Sequence, residues 1–218
     1  MGELGFLGML VPEDFGGIES DMVSYATVVE EIAAGDGACS TILSVHSSVA
    51  CGPIAKYGTD AQKRKYLPRL ASGEWIGGFA LTEPQAGSEA SNLRITAVRD
   101  GGHYVLNGAK QFITSGKNGA VIIVFAVTDS SAGKKGISAF IVETDTPGYE
   151  VVRVEEKLGI HSSDTCQLSF TDMRVPAENL LGAEGKGYKI ALANLEGRAY
   201  RHRVASGRHG AQGFRNCA

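Results

Sequence analysis

Along the first third of the chain, apolar positions recur at helical spacing. After the turn-like Pro12-Glu13-Asp14-Phe15-Gly16-Gly17, the positions Val23, Ala26, Thr27, Ile32 and Ala33 fall near one side of a helix that Ser20 can cap and Gly35 ends. A second helix is predicted from Asp36 through Cys51, with Cys39, Leu43, His46 and Ala50 on one face and Gly52-Pro53 as its stop. A third opens at Thr59-Asp60, a good N-cap, and Arg64, Tyr66, Leu67 and Leu70 carry it to Gly73. From Trp75 the period changes to two. Strands are predicted over residues 77–81, 94–99, 103–110, 112–114, 121–128, 137–143, 150–155 and 165–170, with Asp100-Gly101-Gly102 as a hairpin signal. Eight strands at this spacing predict a compact antiparallel barrel or two-sheet core. After Pro176 the helical period returns over residues 187–195, through Tyr188, Ile190, Ala191, Leu192 and Leu195. The fold class is therefore α+β, without repeats or low-complexity linkers.

Composition changes this picture little. With 218 residues, 43% of them apolar and 21% charged, the chain can bury a real core. A net charge of -3 and a pI near 6.0 leave no broad basic surface, which argues against nucleic-acid binding. The charge is uneven, however: residues 198–218 hold Arg198, Arg201, Arg203, Arg208 and Arg215 and no acid, so the preceding residues sum to -3 - 5 = -8. Cys39, Cys51, Cys166 and Cys217 lie far apart with no CxxC spacing, which disfavours a zinc site or a disulfide framework and fits a reducing compartment. No window was expected to reach the roughly 18 apolar residues of a membrane span, and the N-terminus lacks a secretory pattern. Phe6 stands where a myristoylation motif needs Ser or Thr. These features predict a soluble, intracellular protein.

Two stretches carry the candidate chemistry. Phe79-Ala80-Leu81-Thr82-Glu83-Pro84-Gln85-Ala86-Gly87-Ser88 is a strand running into a loop with a hydroxyl at each side; alone it also reads as an ordinary turn. Lys110-Gln111-Phe112-Ile113-Thr114-Ser115-Gly116 places an aromatic and a Thr two apart, hence on one face of a strand; alone it also reads as one core aromatic and one exposed Thr.

Taken together and in order, these stretches make the chain resemble the acyl-CoA dehydrogenase family from about Leu4 to Gly197. The same holds for Leu10-Val11-Pro12-Glu13-Asp14-Phe15-Gly16-Gly17, Asn107-Gly108-Ala109-Lys110, Lys157-Leu158-Gly159 and Val175-Pro176-Ala177-Glu178-Asn179-Leu180-Leu181-Gly182. The resemblance implies a helical N-terminal domain over 1–74, a β-barrel middle domain over 75–182 and the first helix of a C-terminal helical domain over 183–197. FAD would lie between the last two domains. It also implies that Phe79, Ala80, Leu81, Thr82, Gly87 and Ser88 run along the flavin, with Thr82 in reach of the isoalloxazine and Ser88 near both the pyrophosphate and the acyl-CoA. Phe112, Ile113 and Thr114 would lie against the ring, with Thr114 near N5, and Ser163 would contact the CoA moiety. His161 stands where many relatives have Arg, and Glu89 where the signature usually has Asp.

The implied reaction is α,β-desaturation of an acyl thioester: a carboxylate takes the α-proton, hydride passes to the flavin, and the electrons leave to an electron-transfer flavoprotein. In most relatives the base is a Glu in a Tyr-Glu-Gly run; this sequence has none, its nearest string being Gly148-Tyr149-Glu150, so no catalytic residue is assigned and the base is expected beyond the chain. Relatives continue Leu-Glu-Gly as an amphipathic helix, whereas residues 198–218 have no apolar period. A frameshift after Gly197, or a true basic tail, would account for this. On this reading the chain is cut at both ends, binds FAD poorly, leaves a barrel face and residues 187–195 unburied, and joins the family's homotetramer doubtfully. A bacterial cytoplasm or a mitochondrial matrix is the expected location. The competing readings are a non-catalytic acyl-CoA or flavin binding module, and an oxygen-using acyl-CoA oxidase or flavin monooxygenase of the same fold.

Overall fold

The computed structural model describes residues 1–195. The Arg-rich stretch 198–218 and the break expected after Gly197 lie outside the described residues. Helix α1 (Met22–Gly35) begins at Asp21, whose carboxylate accepts from the amides of Val23 and Ser24, so the cap sits one residue later than Ser20. Asp36 caps the second helical stretch, α2 (Gly37–Tyr57), through the amides of Ala38 and Cys39. This stretch does not stop at Gly52-Pro53 as expected. A π turn at His46–Cys51 sends the Gly52 amide to the Ser47 carbonyl, and Pro53 falls in the first turn of the resumed α-helix, where its missing N–H leaves no gap. Helix α3 (Asp60–Ser72) has the Thr59–Gln62 capping box and ends on left-handed Gly73.

Helix α2 also corrects the expectation that no stretch approaches a membrane span. Its 21 residues qualify by length and hydropathy, but 72% of its most apolar window is buried inside the protein. Its apolar side chains are core: Val45, Val49 and Ile54 pack against α3 and the sheet.

Seven strands follow among the described residues, not eight: β1 (Gly77–Ala80), β2 (Thr96–Asp100), β3 (His103–Thr114), β4 (Val121–Val127), β5 (Ile137–Glu143), β6 (Tyr149–Val154) and β7 (Thr165–Pro176). The strands expected at 103–110 and 112–114 are one. Irregular pairing with β7 between Leu106 and Gly108, and again between Lys110 and Ile113, bends β3 without breaking it. The curled middle-domain sheet is present as expected, but it is mixed, not antiparallel throughout. Both β1 and β2 run parallel to β4 along one of its edges, and β5 is antiparallel along the other. Residues 81–95 therefore leave the sheet between β1 and β2 as a long connector.

Strands β4 and β5 are buried on both faces, which is why they read as unbroken apolar runs. Ile123, Phe125 and Ile141 face the helices, while Ile122, Val124 and Phe140 face the curled interior with Leu106, Leu168 and Phe170. Residues 187–195 are helical (α4). Ile190 and Ala191 are buried in the helix-facing cluster beside Leu181, whereas Leu192 is 39% exposed. The expectation of an unburied helix thus holds for its outer side only.

Candidate functional site

Strand β1 carries two glycines that bring three layers together. A Cβ on Gly77 would meet Ala50 Cβ at 2.5 Å, and one on Gly78 would meet the Thr114 carbonyl oxygen at 2.8 Å. Gly77 lets α2 approach the sheet, and Gly78 lets the end of β3 lie against β1. His46 fixes the first approach: its Nδ1 accepts from the Gly77 amide at 3.0 Å, while Nε2 donates to the Leu70 carbonyl at 3.1 Å. Full burial pulls its imidazole down to a pKa of about 4, so it is neutral at pH 7.

On this frame a cleft of about 120 Å³ opens between β1 and β3, lined by Val45, Phe79, Leu81, Thr82, Phe112, Ile113, Thr114 and Leu195. Two hydroxyl-bearing residues, Thr82 and Thr114, share it with an aromatic ring that is 59% exposed, that of Phe112. Phe112 has φ +59°, the left-handed region that bulky residues avoid. It lies in the irregular step of β3 between Lys110 and Ile113, so the same kink that interrupts the ladder turns the ring out. Across the cleft the Gln111 amide donates to the Thr82 carbonyl at 2.9 Å.

Of the residues singled out from sequence, the structure gathers Phe79, Leu81, Thr82, Phe112, Ile113 and Thr114 around this cleft. Ala80 is buried on the opposite face of β1, in the curled interior. Gly87 and Ser88 are at the exposed tip of the connector, between buried Ala86 and Ala90, and do not line the cleft. Ser163 is buried, with its carbonyl accepting from Lys157 Nζ. It lies two residues before Thr165, the ladder partner of Thr114, and does not line the cleft.

Sequence reading missed Gly78 and a buried ion pair beside the cleft. Lys110 and Glu83, with side chains 0% and 2% exposed, meet at 2.9 Å. Lys110 Nζ also donates to the Leu81 carbonyl at 2.9 Å, and Glu83 accepts from the Arg94 amide at 2.7 Å, the Ile95 amide at 3.4 Å and Gln85 Nε2 at 2.7 Å. Burial lowers the Lys110 pKa to about 8, with the Glu83 side chain opposing the fall, so Lys110 stays mostly protonated at pH 7. A charge at an inward position of an apolar strand was the available signal.

A slot lined by two threonines and an exposed phenylalanine suits a flat, polar-edged ring such as an isoalloxazine. The family models of the acyl-CoA dehydrogenase N-terminal domain and middle domain match residues 1–74 and 78–173. An acyl-CoA dehydrogenase of Bacillus subtilis is 50% identical over 195 residues, covering 89% of this chain and 52% of the relative. A chain in the structure of the electron-transferring flavoprotein of Acidaminococcus fermentans superposes with TM-score 0.92 at 46% identity, over 94% of this chain and 54% of that one. The acyl-CoA dehydrogenase of Bacillus anthracis complexed with FAD superposes with TM-score 0.88 at 43% identity, over 94% of this chain and 35% of that one. The chain spans about half the length of the Bacillus subtilis relative. With both domain models matched in order and half the aligned residues identical, the chain belongs to the FAD-dependent acyl-CoA dehydrogenase family.

Proposed function

We propose that this chain supplies the flavin-facing wall of an enzyme that desaturates an acyl-CoA thioester between its α and β carbons and passes the electrons to an electron-transfer flavoprotein. The observation that carries the reading is the convergence of Thr82, Phe112 and Thr114 on one cleft. Bound there, FAD would supply the hydride acceptor. Phe112 would cover one face of the ring, and the Thr82 and Thr114 hydroxyls would donate to its polar edge, favouring the charge the ring gains on reduction. Among the described residues none that lines the cleft is ionisable, and a carboxylate beyond the described residues that takes the α-proton is part of the same proposal. Ser88 and Ser163 as contacts of the thioester's CoA portion, the homotetramer, and a cytoplasmic or mitochondrial-matrix location belong to the same proposal; the close likeness to the FAD-complexed dehydrogenase supports the cofactor.

The test is anaerobic. The protein is loaded with FAD and mixed with a series of acyl-CoA thioesters while the oxidised flavin absorbance is followed. Saturable perturbation or bleaching of the flavin band is expected, and an acyl-CoA that neither binds nor perturbs bound flavin at any chain length would reject the proposal.

A further inference from the structure

Given the flavin reading above, we propose that the buried Lys110–Glu83 ion pair is a positioning device that sets the separation of the two cleft walls. Its bonds have one destination. Lys110 reaches from β3 to the Leu81 carbonyl, where the connector leaves β1, and Glu83 holds the Arg94 and Ile95 amides, where the connector returns to β2. Both ends of the 81–95 excursion are thereby tied to β3 by a single pair. Thr82 stands between the two tied residues Leu81 and Glu83, and Gln111, which bonds the Thr82 carbonyl, is next to Lys110. Tying those neighbours fixes Thr82 opposite Phe112 and Thr114, the pair meeting the cleft's lining through the Leu81 carbonyl and not lining the cleft itself.

A buried pair used only for cohesion could be exchanged for a neutral pair with little loss, because removing both charges removes their desolvation penalty, whereas removing one strands the other. A positioning pair could not. The distinguishing set is Lys110→Met, Glu83→Gln and the double variant K110M/E83Q, each in the full 218-residue chain at pH 7. Amide hydrogen exchange at Gln111 is compared with that at Val124, and urea unfolding and FAD titration are run alongside. Each single variant should lose global stability. The double variant should recover much of it yet still exchange the Gln111 amide about tenfold or more faster than the parent, the equivalent of one lost charge-assisted hydrogen bond. Val124 should return to the parent rate, and the FAD dissociation constant should stay raised by a similar factor. A double variant with parental Gln111 exchange, or one in which Gln111 and Val124 rise together, would overturn the positioning role. A parent chain that takes up no FAD would instead reject the flavin reading, and the exchange result would still decide the device.

Discussion

Acidification to pH 5 should loosen the joint between α2, α3 and β1 through one side chain, His46. In the folded protein its imidazole accepts the Gly77 amide and donates to Leu70 carbonyl while fully buried, and its pKa falls from 6.5 to about 4. The sign follows from proton binding. Between these two pKa values the unfolded chain binds the proton and the folded one does not, so stability is full above about pH 6.5 and drains away as pH falls toward 4. From pH 7.5 to pH 5 a shift of that size removes about 2 kcal/mol. The neighbouring Cys51 thiol, 3.5 Å from Nε2 and pushed up to about 12 by burial, stays neutral throughout and adds nothing to the slope. The carboxyls of Asp21 and Asp36 are held below their usual pKa by hydrogen bonds at the helix caps, so their contribution is lost only at lower pH. Urea unfolding monitored by Trp75, the chain's single tryptophan and two residues from Gly77, reads the joint directly. At a denaturant slope of about 2 kcal/mol per molar, the midpoint should fall by about 1 M between pH 7.5 and 5. His46→Gln should lower stability at pH 7.5 and flatten this dependence. Equal losses in the parent and the variant would refute the assignment.

Three other outcomes follow from the same geometry. Gly77→Ala should destabilise the protein by about 1–3 kcal/mol in urea unfolding, since the added methyl would overlap Ala50 at 2.5 Å. Phe112→Gly should raise apo stability by about 1 kcal/mol by relieving the left-handed backbone, while weakening flavin binding in the same preparation; unchanged FAD affinity would remove Phe112 from the ring site. Thr114→Val, introduced in a complete enzyme of the family architecture, should slow flavin reduction in single-turnover kinetics by about a hundredfold, the loss of one donor acting on the transition state.

The helical half was legible where local chemistry decides. Thr59 and the left-handed Gly73 bound α3 as expected, and Gln62 completes a capping box that was not anticipated. Gly52-Pro53 misled because tertiary packing sustains α2 through a π turn that supplies the geometry Pro53 needs. In the sheet, alternation and short apolar runs between turn residues located the strands, but strand direction is a property of partners: β1 and β2 run parallel to β4 on one of its edges, and no residue within either strand records that. The Phe112 and Thr114 wall was legible as a motif. Its kink was not, since nothing in a Lys-Gln-Phe-Ile-Thr string announces a positive φ. Lys110 in β3 and Glu83 in the connector escaped notice because charged side chains ordinarily face water, and their mutual burial shows what they hold.

The central claim is that β1 and β3 present Thr82, Phe112 and Thr114 to one flat redox ring, and amide chemical-shift mapping during FAD titration up to millimolar concentration tests it even at weak affinity. Saturable shifts should concentrate on the amides of residues 79–82 and 111–115 and shrink in the K110M/E83Q variant. Shifts that avoid both segments, or appear on only one of them, would contradict it.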